Sequence, residues 1–119
     1  MYQELSRKTF TASGAISAHT RVKAVAGSTT TPMQVTTAGV GDEYLGVSEY
    51  DIADGTVGTI RMRNADGTFE IVADGVIEAG ALGYGGANGQ VSATVNGNEQ
   101  FIVLQAATAQ GDIVECLPL

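Results

Sequence analysis

The side chains in this sequence that could do chemistry are few and scattered. His19 is its one histidine, so a multi-histidine metal site is excluded and a nucleophilic triad would have to be built around that single ring. A triad also needs a hydroxyl and a carboxylate in line with the imidazole, and no local signature such as G-x-S-x-G occurs. Asp51 and Asp54 in EYDIADG look superficially like calcium ligands. The EF-hand spacing is absent, however, and the similar segment AATAQGD puts uncharged Thr108 and Gln110 in their place, so both aspartates read as turn residues. Gly83, Gly85, Gly86 and Gly89 resemble a phosphate loop only in composition. The Lys-Ser/Thr pair and the following helix are missing, and they read as turn glycines. Asp42 and Glu43 follow Gly41 in a polar loop, where solvation is expected rather than a shifted pKa. Cys116, beside Val114 and Leu117, reads as a small buried apolar residue, not a reactive thiol. No catalytic constellation, cofactor or metal is expected.

The elements that would position these residues are repeated. ASGAISAHTR at 12–21 is echoed by ADGVIEAGAL at 73–82, with Ala12, Gly14, Ile16 and Ala18 matching Ala73, Gly75, Ile77 and Ala79. SEYDIADGTVGTIRM at 48–62 is echoed in the same order by AATAQGDIVECLPL at the end of the chain, where Ala53, Gly55 and Val57 meet Ala109, Gly111 and Ile113. A duplicated unit signals a scaffold, because catalytic residues have no reason to recur in both copies. His19 stands where the second copy has Gly80, which predicts a turn position, since His tolerates the left-handed region better than most residues.

Sixteen glycines, abundant Val, Thr and Ile, and no sustained 3.6-residue period describe short strands joined by tight turns. The expected fold is all-β, a small barrel or sandwich of about ten short strands built from two similar halves, about 10–62 and 69–119. Strands are predicted near 9–12, 21–26, 33–37, 44–50, 57–63, 68–73, 81–85, 90–95, 100–106 and 112–117. Asp66-Gly67, between the alternating runs IRMRN and TFEIV, predicts a type I′ hairpin that pairs Asn64 with Phe69, Arg63 with Glu70, and Met62 with Ile71, in preference to a three-residue loop with Gly67 in a bulge that would set Arg63 against Phe69. Asn88-Gly89 and Asn96-Gly97 predict two further hairpins. Pro32, after a run of threonines, marks a loop or an edge. Residues 1–9 lack the period and apolar content to pack alone and read as an N-terminal arm, leaving 10–119 as a single β domain.

Size and charge narrow the function classes. A chain of 119 residues suits one modest core without disulfides. No apolar run approaches the ~20 residues of a spanning helix, and no secretion signal is visible, so neither membrane insertion nor export is expected. All six basic residues precede position 64 and balance six acids there; residues 64–119 hold seven acids and no base, which accounts for the net charge of −7. That balance repels phosphate backbones and excludes nucleic acid as a partner. Aromatic residues make up 6% of the chain and Trp is absent, which leaves few platforms for stacking sugar rings and disfavours the alternative of a carbohydrate- or surface-binding module.

The segments FTASGAISAHTRVKAV, YLGVSEYDIADGTVGTIRM, GVIEAGALGYGGANGQVSAT and LQAATAQGDIVECLPL resemble, in order and spacing, the small capsid cement or head decoration proteins of tailed bacteriophages. The resemblance covers residues 9–119. It implies a non-enzymatic protein, made in the host cytoplasm and added to the outside of an expanded head. There it binds the major capsid protein and stabilises subunit contacts, usually as a homotrimer. In such proteins an N-terminal arm contacts the shell, and here the capsid-binding residues would be Tyr2, Leu5, Arg7, Lys8 and Phe10. An extended arm of this kind adds a strand to an exposed sheet edge, with Arg7 and Lys8 supplying charge.

Overall fold

A computed structural model describes residues 6–119 and contains ten strands: β1 (Arg7–Ala12), β2 (Arg21–Ala24), β3 (Gln34–Thr37), β4 (Gly46–Ser48), β5 (Val57–Met62), β6 (Phe69–Val72), β7 (Leu82–Gly85), β8 (Val91–Ser92), β9 (Phe101–Val103) and β10 (Ile113–Pro118). Every predicted strand is present, with shifted ends. The one helical element among the described residues is a 3-10 turn at Ala87–Gly89. β1 to β5 close into a barrel in the order β1-β3-β2-β4-β5, and β6 to β10 form a sheet in the order β6-β10-β9-β7-β8. Those two orders are the same circle. In the second half the parallel β1–β3 contact is reduced to a single bridge, Ala73 to Val91, which corresponds to Ala12 against Val35 in the first.

The duplication is visible bond by bond. Ile16 and Ile52 exchange backbone hydrogen bonds, as do Ile77 and Ala107; the Gly55 amide donates to Ala12 and the Gly111 amide to Ala73, each at 2.9 Å. Both turn glycines have positive φ, +78° and +95°. His19 adopts φ +60° and its counterpart Gly80 +86°. The left-handed position expected for His19 is therefore occupied, and the amides of both residues donate to the strand opposite, at Ser48 and Val103.

Alternation along these short strands sends one face inward. Phe10, Ala12, Ile16, Val22, Val35, Ile52 and Ile60 fill the barrel, and a second cluster holds Phe69, Ile71, Ile77, Val91, Phe101, Val103, Val114 and Cys116. Each fully buried large apolar side chain stabilises the fold by about 1.5–3 kcal/mol. Tyr44 and Val47 come from the first half but pack in the second cluster, Tyr44 against Phe69 and Phe101 at ring-centroid distances of 6.4 and 4.9 Å. The halves thus share one hydrophobic seam.

A buried cation bolts that seam. Arg21 has no exposed surface, yet its guanidinium meets no carboxylate. It donates to the carbonyls of Gln90 (3.2 Å), Asp42 (3.0 Å), Gly39 (3.1 Å) and Gly86 (2.7 Å) and to the Gln100 side chain (3.3 Å). Burial lowers its pKa, while the nearby Asp42 charge opposes that. Gly85 lies against this group, and a Cβ there would come within 2.8 Å of Arg21 Nη1.

Several local expectations differ from this architecture. At Asp66-Gly67 the chain bends, with Gly67 at φ +93°, but Asp66 lacks the positive φ of a type I′ turn, and the segment links the two halves and closes no hairpin. Both edges of β5 are already paired, with β1 and β4, and β6 pairs with β10 instead. Asn88-Gly89 does join an antiparallel pair, β7 and β8. Asn96-Gly97 does not, because β9 lies on the other side of β7 from β8. Gly83 and Gly85 are strand residues, not turn residues; a Cβ at Gly83 would meet Val91 Cγ2 at 2.7 Å. Arg7, Lys8 and Thr9, read as arm, stand opposite Arg61, Ile60 and Thr59 in the β1–β5 ladder. Their side chains are exposed, so the strand is held there by its backbone and leaves no apolar pattern in the sequence.

Candidate functional site

The basic residues singled out for docking sit at the start of β1, on the outside of the barrel. Arg7 forms a two-pronged pair with Glu49, Nε to Oε1 at 2.6 Å and Nη2 to Oε2 at 3.1 Å. Hydrogen bonding between them raises the arginine pKa and lowers that of the carboxylate. Lys8 is exposed and makes no ion pair among the described residues. Phe10 is 4% exposed and belongs to the barrel core; the period-2 alternation turns it inward, and it anchors the strand rather than a partner. Tyr2 and Leu5 lie outside the described residues.

Beside Arg7 a cleft of ≈ 250 Å³ runs along the junction of the halves, lined by His19, Glu49, Tyr50, Arg61, Glu70 and Glu115 among others. Arg61 is committed to the linker: its guanidinium donates to the carbonyls of Thr68 and Asp66 and lies 4.8 Å from the centroid of the Phe69 ring. The Thr68 hydroxyl donates to Glu115 at 2.7 Å. Glu70 and Glu115 are direct cross-strand neighbours, an arrangement that is destabilising for like charges unless something offsets it. His19 shares this cleft with carboxylates, but the hydroxyl groups there belong to Tyr50 and Thr68, and Thr68 is already bonded. No nucleophile–base–orienter arrangement results.

The remaining candidates serve the fold. Asp54 accepts the Gly14 amide and Asp51 the Ala18 amide, each at 2.8 Å, so both tie turns as expected. Asp42 and Glu43 are more constrained than a solvated loop would make them. Asp42 pairs with Lys23 at 2.7 Å and accepts the Gly39 amide, and Glu43 pairs with Arg63 at 2.8 Å. These bonds hold both carboxyl groups below the usual range. Burial pushes the Cys116 thiol up to about 12. Tyr50, 69% exposed, is the one strongly exposed aromatic among the described residues. No group of three or more His, Cys, Asp or Glu side chains among them is arranged to hold a metal. Sequence reasoning missed Arg21, whose neighbours in HTRVKAV carry no sign of burial.

No protein-family model matches this sequence, and no curated protein sequence matches it. The fold does have a solved counterpart. The N base of the head fiber gp8.5 of bacteriophage phi29 superposes with a TM-score of 0.81, covering 95% of this chain and 92% of that one at 16% sequence identity.

Proposed function

We propose that this chain is a non-enzymatic structural protein of a phage head, a decoration or cement protein that binds the outer surface of the capsid and stabilises contacts between major capsid protein subunits. The observation that carries the reading is the likeness, over nearly the whole chain, to the base of a phage head fiber. The sequence resemblance to head decoration proteins points the same way independently. The physical features agree with a passive binder: a duplicated scaffold, a buried inert thiol, and carboxylates engaged in turns and ion pairs.

Docking is assigned to the end of the barrel where β1 begins. Lys8 supplies an exposed charge without an ion-pair partner among the described residues, Arg7 reaches a carboxylate on the shell by exchanging Glu49 for it, and Tyr2 and Leu5 precede them as apolar contacts. The protein acts as a symmetric oligomer, a homotrimer, with the acidic surface of its second half turned to solvent. Co-sedimentation with expanded heads lacking the protein tests this. Wild type pellets with the heads, and Arg7→Ala/Lys8→Ala binds more weakly and with a shallower dependence on salt, because exposed charge pairs are screened beyond about 8 Å at physiological ionic strength. A wild-type protein that stays in the supernatant at low salt overturns the reading.

A further inference from the structure

The two halves differ most in one row of side chains. In the barrel, Arg21, Val47 and Arg61 stand opposite one another across β2, β4 and β5 and point away from the barrel interior. That row is covered by the second half: Arg21 enters it, Val47 joins its core and Arg61 lies over Phe69. The equivalent strands of the second half, β7, β9 and β10, carry Leu82, Ile102 and Leu117 in the same row. Among the described residues nothing covers them. Leu82 is 42% and Leu117 39% exposed, Ile102 is half-buried between them, and Leu104, two residues further along the same face of the chain, is 45% exposed.

We propose that this row is a self-association surface whose occupant is a second copy of this chain. In the first half the same position in the repeat is where one β unit receives another, and in the second half its two arginines are replaced by leucines and Val47 by isoleucine. Those residues resemble the dry centre of a lasting interface more than a solvated sheet. The repeat argues for a copy of this chain as the occupant, because the equivalent row of the first half already receives a β unit of this kind. Charge only restricts where two copies, each of net charge −7, can meet. Residues 64–119 hold seven acids and no base, so copies can meet only where acids are absent. The row is uncharged, and the like-charged pair Glu70–Glu115 lies one step further along the β6–β10 ladder, at its rim. The inference rests on the self-association in the functional reading and not on capsid binding.

Sedimentation velocity across a concentration series, without heads, tests it. Wild type sediments as a multiple of the 12.2 kDa protomer. Ile102→Glu weakens association by at least about 30-fold, as expected for a central interface residue, and Leu82→Ser, a milder change at an exposed site, weakens it less. Val57→Glu, on the barrel half, leaves it unchanged. Circular dichroism melts identify any variant that fails to fold, and Leu82→Ser decides the matter if Ile102→Glu does so. A monomeric wild type, or folded row variants that associate like wild type, overturns the proposal. Failure to bind heads by a protein that does associate through this row overturns the capsid reading and leaves this one standing.

Discussion

Replacing Arg21 with Met should be among the most destabilising single changes in this protein. The methionine fills much of the same volume but provides none of the five donations. Three acceptors retain another donor: the Asp42 carbonyl keeps Gln100 Nε2 at 2.8 Å, the Gln90 carbonyl keeps the Gly86 amide at 2.8 Å, and the Gly39 carbonyl keeps a long contact to the Asp42 amide at 3.3 Å. The Gly86 carbonyl and the Gln100 side-chain oxygen lose the only partner they have among the described hydrogen bonds. A buried acceptor left unsatisfied costs about 1–3 kcal/mol, so two cost about 2–6 kcal/mol. Relief from no longer burying a cation offsets part of this, and a net loss of about 3 kcal/mol follows. For a domain of this size that corresponds to a fall in melting temperature of about 12 °C. Thermal unfolding followed by circular dichroism, with urea melts for the free energy, measures it. Arg21→Lys should recover only part of the loss, because one ammonium cannot span acceptors spread around a planar fork. A melting temperature for Arg21→Met within about 2 °C of wild type would refute the idea that this side chain joins the halves.

Gly85→Ala forces a methyl into the same guanidinium and should cost about 1–3 kcal/mol, whereas Gly55→Ala meets open space and should cost about 1 kcal/mol through its positive φ alone; equal effects in denaturant melts would show that crowding at Arg21 is unimportant. Gly67→Val should destabilise by about 1–2 kcal/mol because φ is +93° there, measured in the same way. The carboxyl groups of Asp42, Glu43, Glu49 and Asp112 all have folded pKa values held below their ordinary ones, mainly by hydrogen bonds. Their contribution is present above the ordinary carboxylate range and is lost as pH falls through the lowered values. The melting temperature should therefore be flat above about pH 5 and fall below about pH 4, and Asp112→Asn should make that acid limb shallower. Cys116, fully buried with its thiol pushed up to about 12, should resist alkylation at pH 8 in the native protein and react fully in denaturant; rapid native labelling would contradict its burial.

Local signals in the sequence determined the number of strands, their approximate positions and the left-handed positions of His19 and the turn glycines, because alternation and turn chemistry act over a few residues. Duplication was also legible, since the motifs around Ala12 and Ala73 and around Gly55 and Gly111 build the same hydrogen bonds twice. Pairing was decided by the tertiary structure. Asp66-Gly67 has hairpin chemistry, but closure of the barrel had already satisfied both edges of β5, so its neighbour in sequence had to find β10. The start of β1 escaped notice because its exposed residues join the ladder through backbone atoms, which every residue type possesses. Arg21 escaped for the opposite reason: its burial depends on carbonyls from residues 39–42 and 86–90 converging from both halves, a convergence that no stretch of the chain encodes alone. The contrast between the covered row at Arg21, Val47 and Arg61 and the open one at Leu82, Ile102 and Leu117 likewise exists only once the halves are docked. The repeat supplies two equivalent faces, and docking covers one of them.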